Sequence, residues 1–304
     1  MKIFVTGATG FIGSAVVQEL IQARHQVLGL ARSDSAASSL IAAGAQVHRG
    51  SLEDVESLRT GAAAADAVIH LGFIHDFNNY APAAEKDRRA IETLGAALAG
   101  SDRRLIVTSG TLLAQRQGPL ATEQDPPNPS FPRKSEEAAC AMASHGARVS
   151  VLRLPPSVHG DGDHGLVPAL IGIAREKGVS AHVSDGLNRW PAVHRLDAAH
   201  LYRLILEKAR AAATFHAVAD EGIPVREIAQ VIGRRLNVPV VAKSPEEAAG
   251  HFGWIGHFFS LDNPTSSRLT QEQLGWQPKQ PGLIADLEQG RYFEFSKDRA
   301  PAAS

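Results

Sequence analysis

The chain predicts an α/β fold: a doubly wound parallel sheet of the Rossmann type, followed by a smaller C-terminal α/β lobe. Three observations carry this. Strand and helix patterns alternate through the first half, which calls for a parallel sheet with helices on both faces. The first 32 residues condense that alternation into strand, glycine turn, helix and strand. After Pro155 the rhythm changes, and helix and loop outweigh strand. The expected division is 1–155 for the sheet domain and 156–304 for the lobe, with part of the lobe free to rejoin the main sheet.

Lys2-Ile3-Phe4-Val5 is short, apolar and β-branched, as a buried strand should be. Thr6-Gly7-Ala8-Thr9-Gly10-Phe11-Ile12-Gly13 follows, and Ile12, Val16, Leu20 and Ala23 then recur at helical spacing. Val27 to Leu30 is the next strand. Helix is expected over Ser35 to Ala43, strand over Ala45 to His48, and helix over Glu53 to Ala62 with Ser51 as its cap. Strand at Ala67 to Leu71, helix at Ala84 to Leu98 and strand at Leu105 to Thr108 continue the pattern. A Pro-rich loop fills Glu123 to Pro132, before helix at Lys134 to Ser144 and strand at Val149 to Arg153. In the lobe, Gly160 to Gly165 is a polar loop and Leu166 to Glu176 a helix. His182 to Val193 holds a short strand and a turn at Asp185-Gly186. Asp197 is placed to cap a helix running to about Ala211. Phe215 to Val218 is a strand, and Val225 to Leu236 an amphipathic helix with Ile228, Val231, Ile232 and Leu236 on one face. Thr270 is placed to cap a short helix before Gly275. Residues 300–304 read as a frayed tail.

A Gly-x-x-Gly-x-x-Gly turn leaving a strand and opening a helix is the setting of a dinucleotide fingerprint. Gly7 permits the sharp turn, Gly10 lets a diphosphate approach the backbone, and Gly13 lets the helix lie close on the sheet. The helix start then offers free N–H groups to the phosphates. Thr6, Phe11 and Ile12 belong to the same cradle. The tip of the second strand selects the cofactor: an NAD site places a carboxylate there for the ribose 2′-hydroxyl. The run is Leu30-Ala31-Arg32-Ser33. Arg32 can meet a 2′-phosphate with its fork and Ser33 can add a hydroxyl, so NADP is expected over NAD.

Composition excludes several classes. A net charge of −1 argues against a general nucleic-acid binder. No uninterrupted apolar stretch is long enough to span a bilayer, so no membrane partner is expected. Met1-Lys2 leads straight into a strand rather than a signal peptide. A single cysteine, Cys140, makes no internal disulfide. Together these suggest a cytoplasmic protein. Thirteen histidines include no His-x-x-x-His arrangement on one element, so no metal is expected.

The sequence resembles the short-chain dehydrogenase/reductase superfamily in its extended and atypical branch, NAD(P)-dependent epimerase/dehydratase or 3β-hydroxysteroid dehydrogenase-like. The carrying segments are the glycine turn, Ala67-Val68-Ile69-His70-Leu71-Gly72, Val107-Thr108-Ser109-Gly110, Leu152-Arg153-Leu154-Pro155 with Val158-His159-Gly160, Val193-His194-Arg195-Leu196-Asp197, and Leu274-Gly275-Trp276-Gln277-Pro278. The resemblance implies that Leu71, Gly72 and Phe73 run beside the cofactor, that Pro155 lies near the nicotinamide, and that Ser109 holds the substrate oxygen. It also suggests a homodimer through the helices at Ala84 to Leu98 and Lys134 to Ser144.

The family's Tyr-x-x-x-Lys pair is absent. The run is Ser130-Phe131-Pro132-Arg133-Lys134-Ser135-Glu136. Either Phe131 and Ser135, or Pro132 and Glu136, stand in the two places. The family's Asn falls at Asp87 and its adenine-side acid at Ser51. His159 replaces an aromatic residue. Another group must then supply the proton. His75, with an ordinary pKa of about 6.5, and Tyr80 are the candidates, with water as a third source. Arg133 or Lys134 can polarise a carbonyl or bind the ribose, and Asp87, Arg133, His159 and His194 are expected on the substrate side. The leading expectation is an NADP-dependent oxidoreductase of the carbonyl reductase or alcohol dehydrogenase type, acting on a small carbonyl or hydroxyl compound. The alternatives are an epimerase or dehydratase acting on a larger, sugar-like substrate, and an NADP-binding sensor without catalysis.

Overall fold

The structure is a computed structural model describing residues 1–76, 80–209, 213–253 and 255–294. The residue 300–304 tail and the expected helix end near residue 211 lie outside this set. The first half runs β1 (Lys2–Thr6), α1 (Phe11–Gln22), β2 (Gln26–Ala31), α2 (Asp34–Ala42), β3 (Gln46–Arg49), α3 (Val55–Ala63), β4 (Ala67–His70), α4 (Tyr80–Leu98), β5 (Arg104–Gly110), α5 (Ser135–Ser144) and β6 (Arg148–Leu154). Then come β7 (Ser157–His159), α6 (Leu166–Lys177), β8 (Ser180–Val183), β9 (Arg189–His194), α7 (Arg195–Lys208), β10 (Thr214–His216), β11 (Asp220–Pro224) and α8 (Val225–Leu236). The chain closes with β12 (Val240–Lys243), α9 (Pro245–Phe252), α10 (Ile255–Phe259), α11 (Arg268–Leu274) and α12 (Leu283–Gln289).

The main sheet has the order β10-β6-β5-β4-β1-β2-β3, and every pairing in it is parallel. Its inner strands are buried along most of their length because both faces are covered, whereas the edge strand β3 is polar and partly exposed. One face packs under α1, α2 and α7, with Val16, Leu20, Leu201, Ile205 and Trp276 in the core. The other packs under α3, α4 and α5, with Leu58, Ile91, Leu94 and Ala138. Part of the chain after residue 155 rejoins the main sheet: β10 pairs with β6, and α7 covers the sheet beside α1. A third core, built on Val167, Ile171, Trp190, Ile228, Val231 and Phe259, sits in the lobe with a β11-β9-β7 sheet and a β12-β8 pair.

Several local expectations are corrected. Asp54, not Ser51, caps α3, accepting from Ser57 N at 3.1 Å. His194, not Asp197, caps α7. The Asp197 carboxylate accepts instead from the backbone of Lys279 (3.0 Å) and Gln280 (2.9 Å), pinning a distant segment. Thr270 lies inside α11, where its hydroxyl donates to Glu123 at 2.7 Å. Helix α4 is already formed at Tyr80, ahead of the expected Ala84, and includes Pro82.

Candidate active site

The glycine turn is shaped from within. Gly7 has φ +67°, and a Cβ there would lie 2.8 Å from Gly72 N. A Cβ on Gly13 would lie 2.0 Å from the Gly7 carbonyl oxygen, so only glycine lets α1 sit this close. A Cβ on Gly10 would meet only Gly7 O, at 3.3 Å, which leaves its outer side open. No side chain caps α1 and its first turn holds no acid, so its leading N–H groups remain available to an anion. This cradle fits a dinucleotide diphosphate. Thr6 lies beneath it rather than in it. Its buried hydroxyl oxygen accepts from Gly72 N (3.1 Å) and pairs with His70 Nδ1 (2.8 Å).

At the tip of β2, Arg32 and Ser33 are exposed. Ser33 caps α2 by accepting from Ala36 N at 3.2 Å. Asp34 turns to Arg49 at 2.6 Å. Among the described residues Arg32 makes no ion pair.

Beyond β4 the chain builds a cluster around the Phe73 ring. The Arg133 guanidinium stacks 4.1 Å over it. His75 meets it edge-on at 5.3 Å and Tyr80 lies tilted at 5.8 Å. Arg133 is anchored by Nε to Asp87 (3.2 Å) and to Ser135 (2.8 Å), and by Nη2 to the Thr108 carbonyl (2.9 Å). Its Nη1 has no hydrogen-bond partner among the described residues. Burial and the Arg133 charge both lower the pKa of His75, although the residue keeps exposed surface. Burial raises that of Tyr80, against the opposing pull of Arg133. Sequence reasoning places Asp87 on the substrate side, but it is 2% exposed, with both oxygens taken by His70, Arg133 and Ser135. Burial pushes its carboxyl up, yet Arg133 and the bonds from His70 and Ser135 outweigh this and hold its pKa low.

Ser109 lies at the end of β5 as expected, but it is 2% exposed and donates to Glu136 Oε1 at 2.6 Å. Arg153 grips the same carboxylate, Nε to Oε1 at 2.8 Å and Nη2 to Oε2 at 2.7 Å. A hydroxyl has one proton. In this arrangement Ser109 offers a substrate lone pairs but no hydrogen. The Glu136–Arg153 pair was not foreseen, although an acid at one of the two lysine places, with an arginine in the next strand, was the available signal.

The lobe brings His159 and His194 together at 5.4 Å, edge to face. His159 is fully buried, its Nδ1 bound to Asp286 at 2.7 Å and its Nε2 without a partner. It therefore presents no surface to a substrate. His194 Nδ1 accepts from Leu196 N at 3.2 Å, and burial lowers its pKa, with His159 adding to the effect. Leu71 and Phe73 are half-buried, while Gly72 and Pro155 are buried. No cluster of metal-ligating side chains is present among the described residues, and no helix of the described residues is long and apolar enough to cross a membrane.

A glycine-turn nucleotide cradle on a seven-stranded parallel sheet, with polar groups gathered beyond the ends of β4 and β5, defines a Rossmann-type enzyme. The chain belongs to the NAD dependent epimerase/dehydratase family, whose profile matches residues 3–218. It is an NAD(P)-dependent oxidoreductase-type enzyme of the atypical short-chain dehydrogenase/reductase kind. An uncharacterized protein of Schizosaccharomyces pombe is 52% identical over 96% of this chain and all of its own length. The 2-alkyl-3-oxoalkanoate reductase of Stenotrophomonas maltophilia is 29% identical, over 80% of this chain and 78% of its own. The dTDP-glucose 4,6-dehydratase of Streptomyces venezuelae, solved with NAD and TYD bound, superposes with a TM-score of 0.78 at 21% identity, covering 96% of this chain and 97% of its own.

Proposed function

We propose that the chain is an NADP-dependent reductase of a small carbonyl compound. The observation that carries the reading is the Arg133 guanidinium, fixed on three sides and stacked on Phe73, the ring that His75 and Tyr80 also meet, with Nη1 uncommitted among the described residues. Bound NADPH would supply the hydride. Arg133 Nη1 polarises the carbonyl oxygen, the role that Ser109 has surrendered to Glu136. The proton reaches that oxygen from His75 or Tyr80. The acid-free β2 tip with an unpaired Arg32 supports NADP, and the reductase relative supports carbonyl reduction. The family description and the sugar-nucleotide dehydratase structure support a second reading, epimerase or dehydratase chemistry with the cofactor recycled in place.

The test is titration with NADPH and NADH, followed by turnover on ketones and aldehydes across pH. Tighter NADPH binding, lost in Arg32→Ala, supports the cofactor assignment. If His75 is the donor, it must be protonated. Its pKa is lowered, so reduction falls as pH rises through a midpoint below about 6.5, and His75→Ala abolishes that limb. If Tyr80 is the donor, its raised pKa keeps turnover flat through neutral pH. Cofactor retained through purification without net NADPH consumption would instead favour the epimerase reading.

A further inference from the structure

We infer that Arg195 is a diphosphate-binding residue that completes the glycine cradle from the opposite side of the site; this rests on the dinucleotide reading above. Arg195 opens α7, far from the turn in sequence, yet its guanidinium carbon lies 4.7 Å from the centroid of the Phe11 ring. Its Nη2 reaches Ser14 Oγ at 3.3 Å and its Nη1 the Asp161 carbonyl at 2.8 Å. The Nε is buried and has no hydrogen-bond partner among the described residues. Among the described residues, no carboxylate forms an ion pair with this side chain. Burial accordingly lowers its pKa, with the charge of Asp161 alone opposing.

A half-buried guanidinium with no ion-pair partner among the described residues is costly, and here it stands at the first turn of α1. That turn supplies backbone N–H groups but no cation: Thr6 to Ser14 carry no charge. A diphosphate brings the missing anion, and a guanidinium fork suits its oxygens. The glycines of the Gly160 to Gly165 loop wrap the same side chain, a Cβ on Gly160 coming within 3.2 Å of Arg195 Cγ. His164 from this loop meets Phe11 edge-on at 5.7 Å. Arg195 thereby ties the loop to the cradle from above. A phosphate carried by the substrate could use the same chemistry, but contact with Phe11 and Ser14 of α1 places the charge at the cofactor's diphosphate.

The test compares the intact protein with Arg195→Met, which keeps the stem packed on Phe11, and Arg195→Lys. Dissociation constants for NADPH, NADH and adenosine 2′-phosphate are measured by calorimetry at two salt concentrations, with thermal midpoints as a folding check. Charge-assisted bonds of this kind predict a loss of about 10- to 100-fold for both dinucleotides in Arg195→Met. A shallower salt dependence, partial recovery in Arg195→Lys and unchanged binding of adenosine 2′-phosphate should accompany it. Equal loss for adenosine 2′-phosphate, or no loss for either dinucleotide in a folded variant, overturns the inference. Equal wild-type affinity for NADPH and NADH defeats the NADP assignment alone and leaves the Arg195 result to stand. Wild-type protein that binds neither dinucleotide defeats both.

Discussion

Replacing Glu136 by leucine should destabilise the protein more than removing both partners of its ion pair. The carboxylate accepts three charge-assisted hydrogen bonds, from Ser109 at 2.6 Å and from Arg153 at 2.8 and 2.7 Å. The two side chains are 5% and 1% exposed. In Glu136→Leu the guanidinium stays buried against Thr122 O, Asp125 O and His216 Nε2, with no charge to balance it. Stranding a buried charge costs about 3–5 kcal/mol, whereas replacing both members by apolar residues is often close to neutral. The double variant Glu136→Leu/Arg153→Met should therefore recover about 2 kcal/mol or more of the loss in the single one. Urea unfolding gives the answer: the midpoint falls in the single variant with an unchanged slope and climbs back in the double. A single variant within about 1 kcal/mol of the parent, or a double variant as poor as the sum of the two singles, would refute the argument.

Two further outcomes follow from the same geometry. His216 is fully buried, donates from Nδ1 to the Ser266 carbonyl, and faces Arg153 with Nε2. Burial and then the Arg153 charge lower its pKa from 6.5 to about 3. Because the unfolded chain takes up this proton first, its contribution is whole above about pH 6.5 and drains at up to about 1.4 kcal/mol per unit as pH falls toward 3. Wild-type stability measured from pH 7 to 4 should carry that slope, and His216→Gln should flatten it; parallel curves would refute the assignment. Gly13→Ala would set a Cβ 2.0 Å from the Gly7 carbonyl oxygen, so α1 must retreat. A stability loss of about 1–3 kcal/mol, as for other overpacked sites, should come with weaker dinucleotide binding by titration, and unchanged affinity would show that the cradle tolerates the shift.

The parts legible in the sequence are those that local spacing controls. The glycine turn, the alternating strands and the Val225–Leu236 helix depend on residues a few positions apart, and the structure has them at or within a few residues of the expected places. What was not legible is pairing across distance. Asp197 and Thr270 have the chemistry of caps, and local propensity nominates them as such. Their side chains are recruited by Lys279, Gln280 and Glu123, which only the tertiary fold brings near. Ser109 is at its expected strand end, but the partner that claims its proton comes from α5, and that partner's own counter-charge from β6. The lobe was read thinly because its strands are three to six residues long and lie in two small sheets of their own.

The two buried networks explain why the family's usual pair can be absent without leaving the site shapeless. One runs Thr6–His70–Asp87–Ser135 and Arg133, binding β1, β4, α4 and α5 into a fixed wall. The other runs Ser109–Glu136–Arg153–His216, locking β5, α5, β6 and β10. Each carboxylate is matched by a guanidinium, so neither Asp87 nor Glu136 has an oxygen to spare for a substrate. Among the described residues Arg133 Nη1 remains uncommitted, and the Phe73 ring beneath this guanidinium also carries His75 and Tyr80. In the family pattern a lysine lowers the pKa of a tyrosine. Here the Arg133 charge lowers the pKa of His75 further and opposes the burial-driven rise at Tyr80.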